Sequence, residues 1–149
     1  MLKQLEGNEK WAHLILQLLL GFIFCLHGAQ KLFGPSFYGL KWDVYLGFFQ
    51  QFGIVPASLW LPVVTFTEFI GGICIVFGFL TRFWAAGLVI DMTVAVLVVH
   101  RTVGFFWQMR PYGGLEFPMT LDLLALCVFL IGPSFLSIDR AIGLEKRAV

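Results

Sequence analysis

Residues 57–100 read ASLWLPVVTFTEFIGGICIVFGFLTRFWAAGLVIDMTVAVLVVH. Two apolar runs, 57–80 and 83–100, are separated only by Thr81-Arg82. Each run approaches the roughly 20 apolar residues, rising about 1.5 Å apiece, that cross the hydrocarbon core of a bilayer. A two-residue break leaves room only for a tight hairpin, so the stretch predicts two antiparallel transmembrane helices. Pro56 opens the first run and Pro62 lies near its first turns. Glu68 and Asp91 fall near the middle of the two runs. An ionisable group near the bilayer centre costs at least about 2.5–3.5 kcal/mol, so such groups pair inside a bundle or line a polar cavity.

Working outward, two more runs follow the same pattern. Residues 11–33 form a first span that Gly34-Pro35 ends, and residues 117–132 form a fourth, with Pro118 near its start and Gly132-Pro133 as its stop. The reading is an all-α integral membrane protein, a single domain over residues 1–149 built as a four-helix transmembrane bundle. Between the first two spans, Trp42, Tyr45, Phe49 and Phe52 recur at helical spacing. They predict a short amphipathic helix lying in the interface. Residues 101–116, with Gly104, Gly113 and Gly114, form the second long connection, on the same side of the membrane as the first.

Orientation is read from Lys and Arg. Lys3, Lys10, Arg82, Arg140, Lys146 and Arg147 fall on one side, and Lys31, Lys41, Arg101 and Arg110 on the other. That bias places both termini in the cytoplasm and the chain in the cell (inner) membrane. Lys3 and Lys10 ahead of an apolar run resemble a signal peptide. The run is longer than an ordinary signal core and no A-x-A site follows it, so it is read as a retained span.

Composition agrees. Hydrophobic residues make up 59%, aromatic residues 17% and charged residues 13%, against about 25% charged in soluble proteins. So few charges could not cover a water-exposed surface, whereas apolar side chains can face lipid. A net charge of +1 and the lack of a basic patch with interleaved aromatics exclude nucleic acid as a partner. Cys25, Cys74 and Cys127 lie in apolar runs without zinc-type spacing and read as small buried residues. No metal site is expected. The chain carries no phosphate-binding glycine loop, GxSxG or HExxH.

The polar residues at membrane depth are the candidate site. Glu68 shares a helix face with Gly71 and Gly72, and a glycine face permits close helix approach. Asp91 comes from the third span and Asp122 from about one turn into the fourth. His27 and Lys31, at i and i+4 on the outer end of the first span, supply the opposite sign, with Gln30 beside them. His100 and Arg101 close the third span, and Glu116 begins the fourth. Because the helices alternate in direction, all these groups gather in the outer half of the bundle, predicting a buried polar cavity toward the outer face. Glu68, Asp91 and His27 are the candidate catalytic residues. Gln30, Lys31, His100, Arg101, Glu116 and Asp122 are the candidate cofactor-binding residues. Plainer readings stand beside these. Lys31, Arg101 and Glu116 can snorkel to water, and Asp122 suits the first turn of a helix. Glu68 and Asp91 can form structural ion pairs with Lys31 or Arg101. His27 and His100 as axial haem ligands are weakly supported, and haem is not expected.

Short motifs in a fixed order carry a resemblance. His27-Gly28-Ala29-Gln30-Lys31-Leu32-Phe33-Gly34 is similar to the HGxQKLFG signature of the DoxX family. Glu68-Phe69-Ile70-Gly71-Gly72 resembles its E-x-x-G-G, and Gly78-Phe79-Leu80-Thr81-Arg82 its G-x-x-T-R hairpin. Asp91-Met92 and His100 fall where its third helix carries D-M and a histidine. Gly113-Gly114-Leu115-Glu116-Phe117-Pro118 and Ser137-Ile138-Asp139 resemble its G-G-x-E-[YF]-P and S-x-D motifs. The resemblance runs roughly from Leu16 to Arg140. It implies a four-helix membrane fold and a link to membrane oxidoreductases, since the namesake members are membrane subunits of a thiosulfate:quinone oxidoreductase. Fold does not fix function.

Three functions follow as expectations. The first is a membrane subunit of a quinone-dependent oxidoreductase or respiratory complex, with a quinone as cofactor and a protein partner or a second copy of the chain. Glu68 and Asp91 would accept protons, His27 or His100 would bond a quinone carbonyl, and Lys31 and Arg101 would stabilise negative charge. The second is a transporter or binding protein for a small anionic or thiol-containing solute. The third is a non-catalytic assembly or anchor subunit, in which buried charges only set helix register. Membrane lipids are partners in all three.

Overall fold

The computed structural model describes residues 8–101, 104–106 and 114–145. Helix α1 spans Glu9–Phe33 and passes into a 3-10 turn, Gly34–Phe37. Helix α2 is Trp42–Gln51 and α3 is Ala57–Phe77. Helix α4, Thr81–Val94, continues as a π-helical turn over Ala95–Val99. Helix α5 is Glu116–Ile131, and the short α6 is Ile138–Ala141. No strand occurs among the described residues.

Helices α1, α3 and α4 with its π turn are long and apolar enough to cross a membrane. Helix α5 has 16 residues, about 24 Å at 1.5 Å per residue, shorter than the roughly 30 Å hydrocarbon core. Four helices thus form the bundle and three have the full length of a span. The expected interfacial helix is α2, which buries none of its side chains fully and packs on α3. Lys3, Arg110, Gly113, Lys146 and Arg147, used above for orientation and motif, lie outside the described residues.

The pairing α1 with α3 is the most extensive, followed by α4 with α5 and α3 with α4. Glycines make the first pairing close. A Cβ on Gly28 would strike the backbone of Phe69, and one on Gly72 would strike that of Cys25. Gly71 faces the Trp84 ring of α4 instead, so the two adjacent glycines serve two neighbours. Leu20 and Phe24 of α1 meet Ile75, Leu88, Leu121, Ala125 and Val128 in one apolar core.

At the end of the bundle that holds the start of α1, polar side chains tie the chain together. The α3–α4 hairpin turns through Gly78 and Leu80, at φ +65° and +49°. Helix α4 therefore begins without a capping side chain of its own. Asp139 supplies the cap from far along the chain. Its carboxylate accepts from Leu80 N at 2.7 Å, Thr81 N at 2.9 Å and Thr81 Oγ1 at 2.9 Å. Arg82 donates to the carbonyls of Phe129, Leu130 and Ile131, the last turn of α5, where a cation also suits the helix dipole. Buried Gln17 donates to Ile75 O at 2.8 Å and accepts from Ser134 N at 2.7 Å. The residues Thr81-Arg82 and Ser137-Ile138-Asp139 thus hold helix ends together.

Candidate functional site

At the other end, α2, α3, α4 and the π turn enclose a cavity of about 640 Å³. Its walls are apolar, with Phe48, Phe49 and Phe52 from α2, Trp60 and Val63 from α3, and Ile90 and Val94 from α4. Four groups capable of proton or charge chemistry line it: Lys31, Glu68, Asp91 and His100. Ile90, Trp60, Val63 and Val94 also expose much of their surface on the flank of the bundle. The cavity is thus bordered by the apolar flank of the bundle.

Each polar group reaches the cavity for a local reason. Lys31 sits in the last turn of α1, where a cation suits the dipole. Its ammonium forms an ion pair with Glu68 of α3. Glu68 is 3% exposed, and the approach of α1 to α3 over their glycines brings the pair into contact. Asp91 of α4 lies within electrostatic reach of both Glu68 and Lys31. Its side chain is hydrogen-bonded to that of Glu68, and its Oδ2 is buried.

His100 is fixed by the π turn. Its backbone N–H and its Nδ1 both bond Ala95 O at 3.0 Å. A carbonyl oxygen only accepts, so Nδ1 carries a proton in this bond, leaving Nε2 as the ring's other polar atom. π-helical turns recur at functional sites; this one sets the only cavity-lining imidazole among the described residues.

The remaining candidates lie around this cluster. His27, one turn before Lys31, is within electrostatic reach of Glu68 and Lys31, and its ring lies tilted against that of Phe117 at 5.9 Å. Gln30 is half-buried, and its carbonyl accepts the N–H of Gly34 where α1 ends. Asp122 accepts from Thr93 Oγ1 at 3.2 Å and joins α5 to α4. Glu116 opens α5, its backbone N–H bonded to Phe105 O at 3.1 Å. Arg101 is exposed just beyond His100. None of these five lines the cavity. Among the described residues no three His, Cys, Asp or Glu side chains are grouped to hold a metal ion.

Sequence reasoning missed the lining residues Phe48, Trp60, Thr67, Ile90 and Val94. Their types are ordinary for lipid contact, and only the fold of α2 over α3 and α4 makes them a wall.

Comparison with known proteins fixes the family. The family model described as DoxX matches residues 12–101. An uncharacterized membrane protein of Mycobacterium tuberculosis is 31% identical over 144 residues, covering 89% of this chain and 81% of its own. A Bacillus subtilis protein named "Putative oxidoreductase CatD" is 29% identical over 134 residues, covering 90% of this chain and 89% of its own. No solved structure matches significantly. With the match spanning α1 through α4 and the cluster of Lys31, Glu68, Asp91 and His100, the chain belongs to the DoxX family of membrane proteins.

Proposed function

We propose that this chain is the membrane subunit of a quinone-linked oxidoreductase complex and that the cavity between α2, α3 and α4 holds the quinone. The observation that carries the reading is one apolar cavity, bordered by the apolar flank of the bundle, with Lys31, Glu68, Asp91 and His100 on its lining. Those residues fit the group. Binding sites for small amphiphiles are mostly apolar with a few converging polar groups, at volumes of about 300–1,000 Å³. A bound quinone supplies chemistry that couples two electrons to two protons. Phe48, Phe49, Phe52 and Trp60 would bury its ring and tail and exclude water. Lys31 has donors beyond its contact with Glu68 and would stabilise negative charge on an oxygen. His100 and Asp91 would hold protons at the head group, with Glu68, bonded to both Asp91 and Lys31, relaying between them. Electrons would pass to or from a partner protein of the complex. The relative named as an oxidoreductase agrees with this reading.

A small-anion transporter fits less well, because the cavity walls are apolar and its cation is already paired. A pure anchor would leave no reason for an open cavity beside the buried Glu68 and Asp91. The test is the exchange of Glu68→Gln and of Asp91→Asn in the native membrane, with protein level matched by immunoblot. Quinone-dependent electron transfer is expected to fall at least about 100-fold, the scale of a lost acid–base group. Unchanged rates in both variants would refute the proposal.

A further inference from the structure

A second cavity, of about 840 Å³, lies at the end of the bundle that carries the start of α1. Two cations line it, Lys10 and Arg140. Lys10 Nζ stands 5.7 Å from the centroid of the Phe135 ring, which Trp11 holds edge-on at 5.0 Å. The Arg140 backbone N–H bonds Ser137 Oγ, but the side-chain Nε is buried with no hydrogen-bond partner. Among the described residues neither Lys10 nor Arg140 forms an ion pair. The carboxylate on the lining, Glu145, is taken by Arg82 at 2.7 Å. Among the described residues the lining therefore presents two unpaired cations and a buried donor without a partner.

Snorkelling to water explains exposed cations at a membrane surface, but it does not explain a buried guanidinium nitrogen left without an acceptor. An anion with several acceptor oxygens would supply one. The surroundings indicate its source. Phe77 and Leu136 on the lining are each 60% exposed and continue the lipid-facing surface beside the charged groups. Trp11 is half exposed, and tryptophan favours the head-group level. Basic pockets at the ends of transmembrane helices suit anionic head groups.

We propose that this cavity binds a phosphate-bearing anion, and that its apolar rim selects the head group of an anionic phospholipid. The site is independent of the quinone reading. The test is native mass spectrometry of the full chain released from nanodiscs of phosphatidylglycerol, cardiolipin or phosphatidylcholine. Selective retention of the two anionic lipids is expected. Lys10→Gln alone should weaken it about fivefold, and Lys10→Gln with Arg140→Gln about 30-fold, the loss of one and two surface cations. Lys41→Gln, a charge change at the opposite end, should leave retention unchanged. Monodispersity on gel filtration confirms that each variant is folded, and the single Lys10→Gln exchange keeps the test open should Arg140→Gln misfold. Inorganic phosphate is added as a separate arm. Displacement of lipid by millimolar phosphate, with retention of phosphate itself, would overturn the lipid as the occupant and leave a free-phosphate site. Equal retention of anionic and zwitterionic lipid, or no loss in the variants, would overturn the site.

Discussion

The two ends of this bundle use the same residue types to opposite effect. Around α6, Asp139, Arg82 and Gln17 are each engaged by the backbone of helix ends or connecting turns. Around the first cavity, among the described residues, Lys31, Glu68 and Asp91 bond only one another beside open volume, and His100 lines the same space. A polar group at membrane depth that holds a helix end reports on stability. A cluster of ionisable groups bonded only to one another beside a cavity reports on a ligand. Ionisable residues in an apolar chain thus need sorting by partner before any is assigned to chemistry.

The sharpest way to break this comparison is Asp139→Ala. It orphans the Leu80 and Thr81 N–H groups and the Thr81 hydroxyl, and each such loss costs about 1–3 kcal/mol, roughly 4 kcal/mol together. A large fall in the thermal midpoint in detergent is expected, with quinone binding per folded molecule retained. A midpoint near wild type would show that the hairpin does not depend on this cap.

Next in size is Glu68→Gln with Asp91→Asn, which strips Lys31 of both carboxylates. Removing the partner of a buried charge costs about 3–5 kcal/mol, and the partial exposure of Lys31 puts this case near about 3 kcal/mol. Arg82→Gln frees the α5 carbonyls and should cost about 2 kcal/mol, the upper range for a cation at a helix C-terminus. Glu68→Gln alone should cost under about 1 kcal/mol, because Asp91 remains as counter-ion for Lys31. All three are read from the same melting curves. A single exchange as harmful as the double one would mean that Asp91 does not share the lysine and that the cluster is an ordinary ion pair.

Much of the fold was legible from residue order. Apolar run length and Gly-Pro punctuation placed α1, α3 and α4, and the spacing of Trp42, Tyr45, Phe49 and Phe52 placed α2. Glu68 was expected to face inward because Gly71 and Gly72 follow it, and Gly72 does meet α1 at Cys25. Helix α5 falls on the expected run 117–132 and is as short as that run implies. The site was legible only as a set of residue types. Periodicity says which face of a helix is polar but not which helix covers it. It therefore could not separate Asp91, which lines the cavity, from Asp122, which is held by Thr93. The π turn that aims His100 lies in the run Ala95–Val99, whose small and branched apolar residues carry no pattern to betray it. Asp139 caps Thr81 across 58 positions, a distance over which local patterning is silent.

The central claim is that the cavity between α2, α3 and α4 binds a quinone, and Trp60 in its wall allows a direct measurement. A short-tailed quinone is titrated into the purified chain in nanodiscs while tryptophan fluorescence is followed, with Trp60→Phe as the reference. Saturable quenching that disappears in Trp60→Phe, and that weakens at least tenfold on Val94→Phe but not on Leu130→Phe, is the predicted result. Quenching that is unsaturable, or identical in Val94→Phe and wild type, would contradict it.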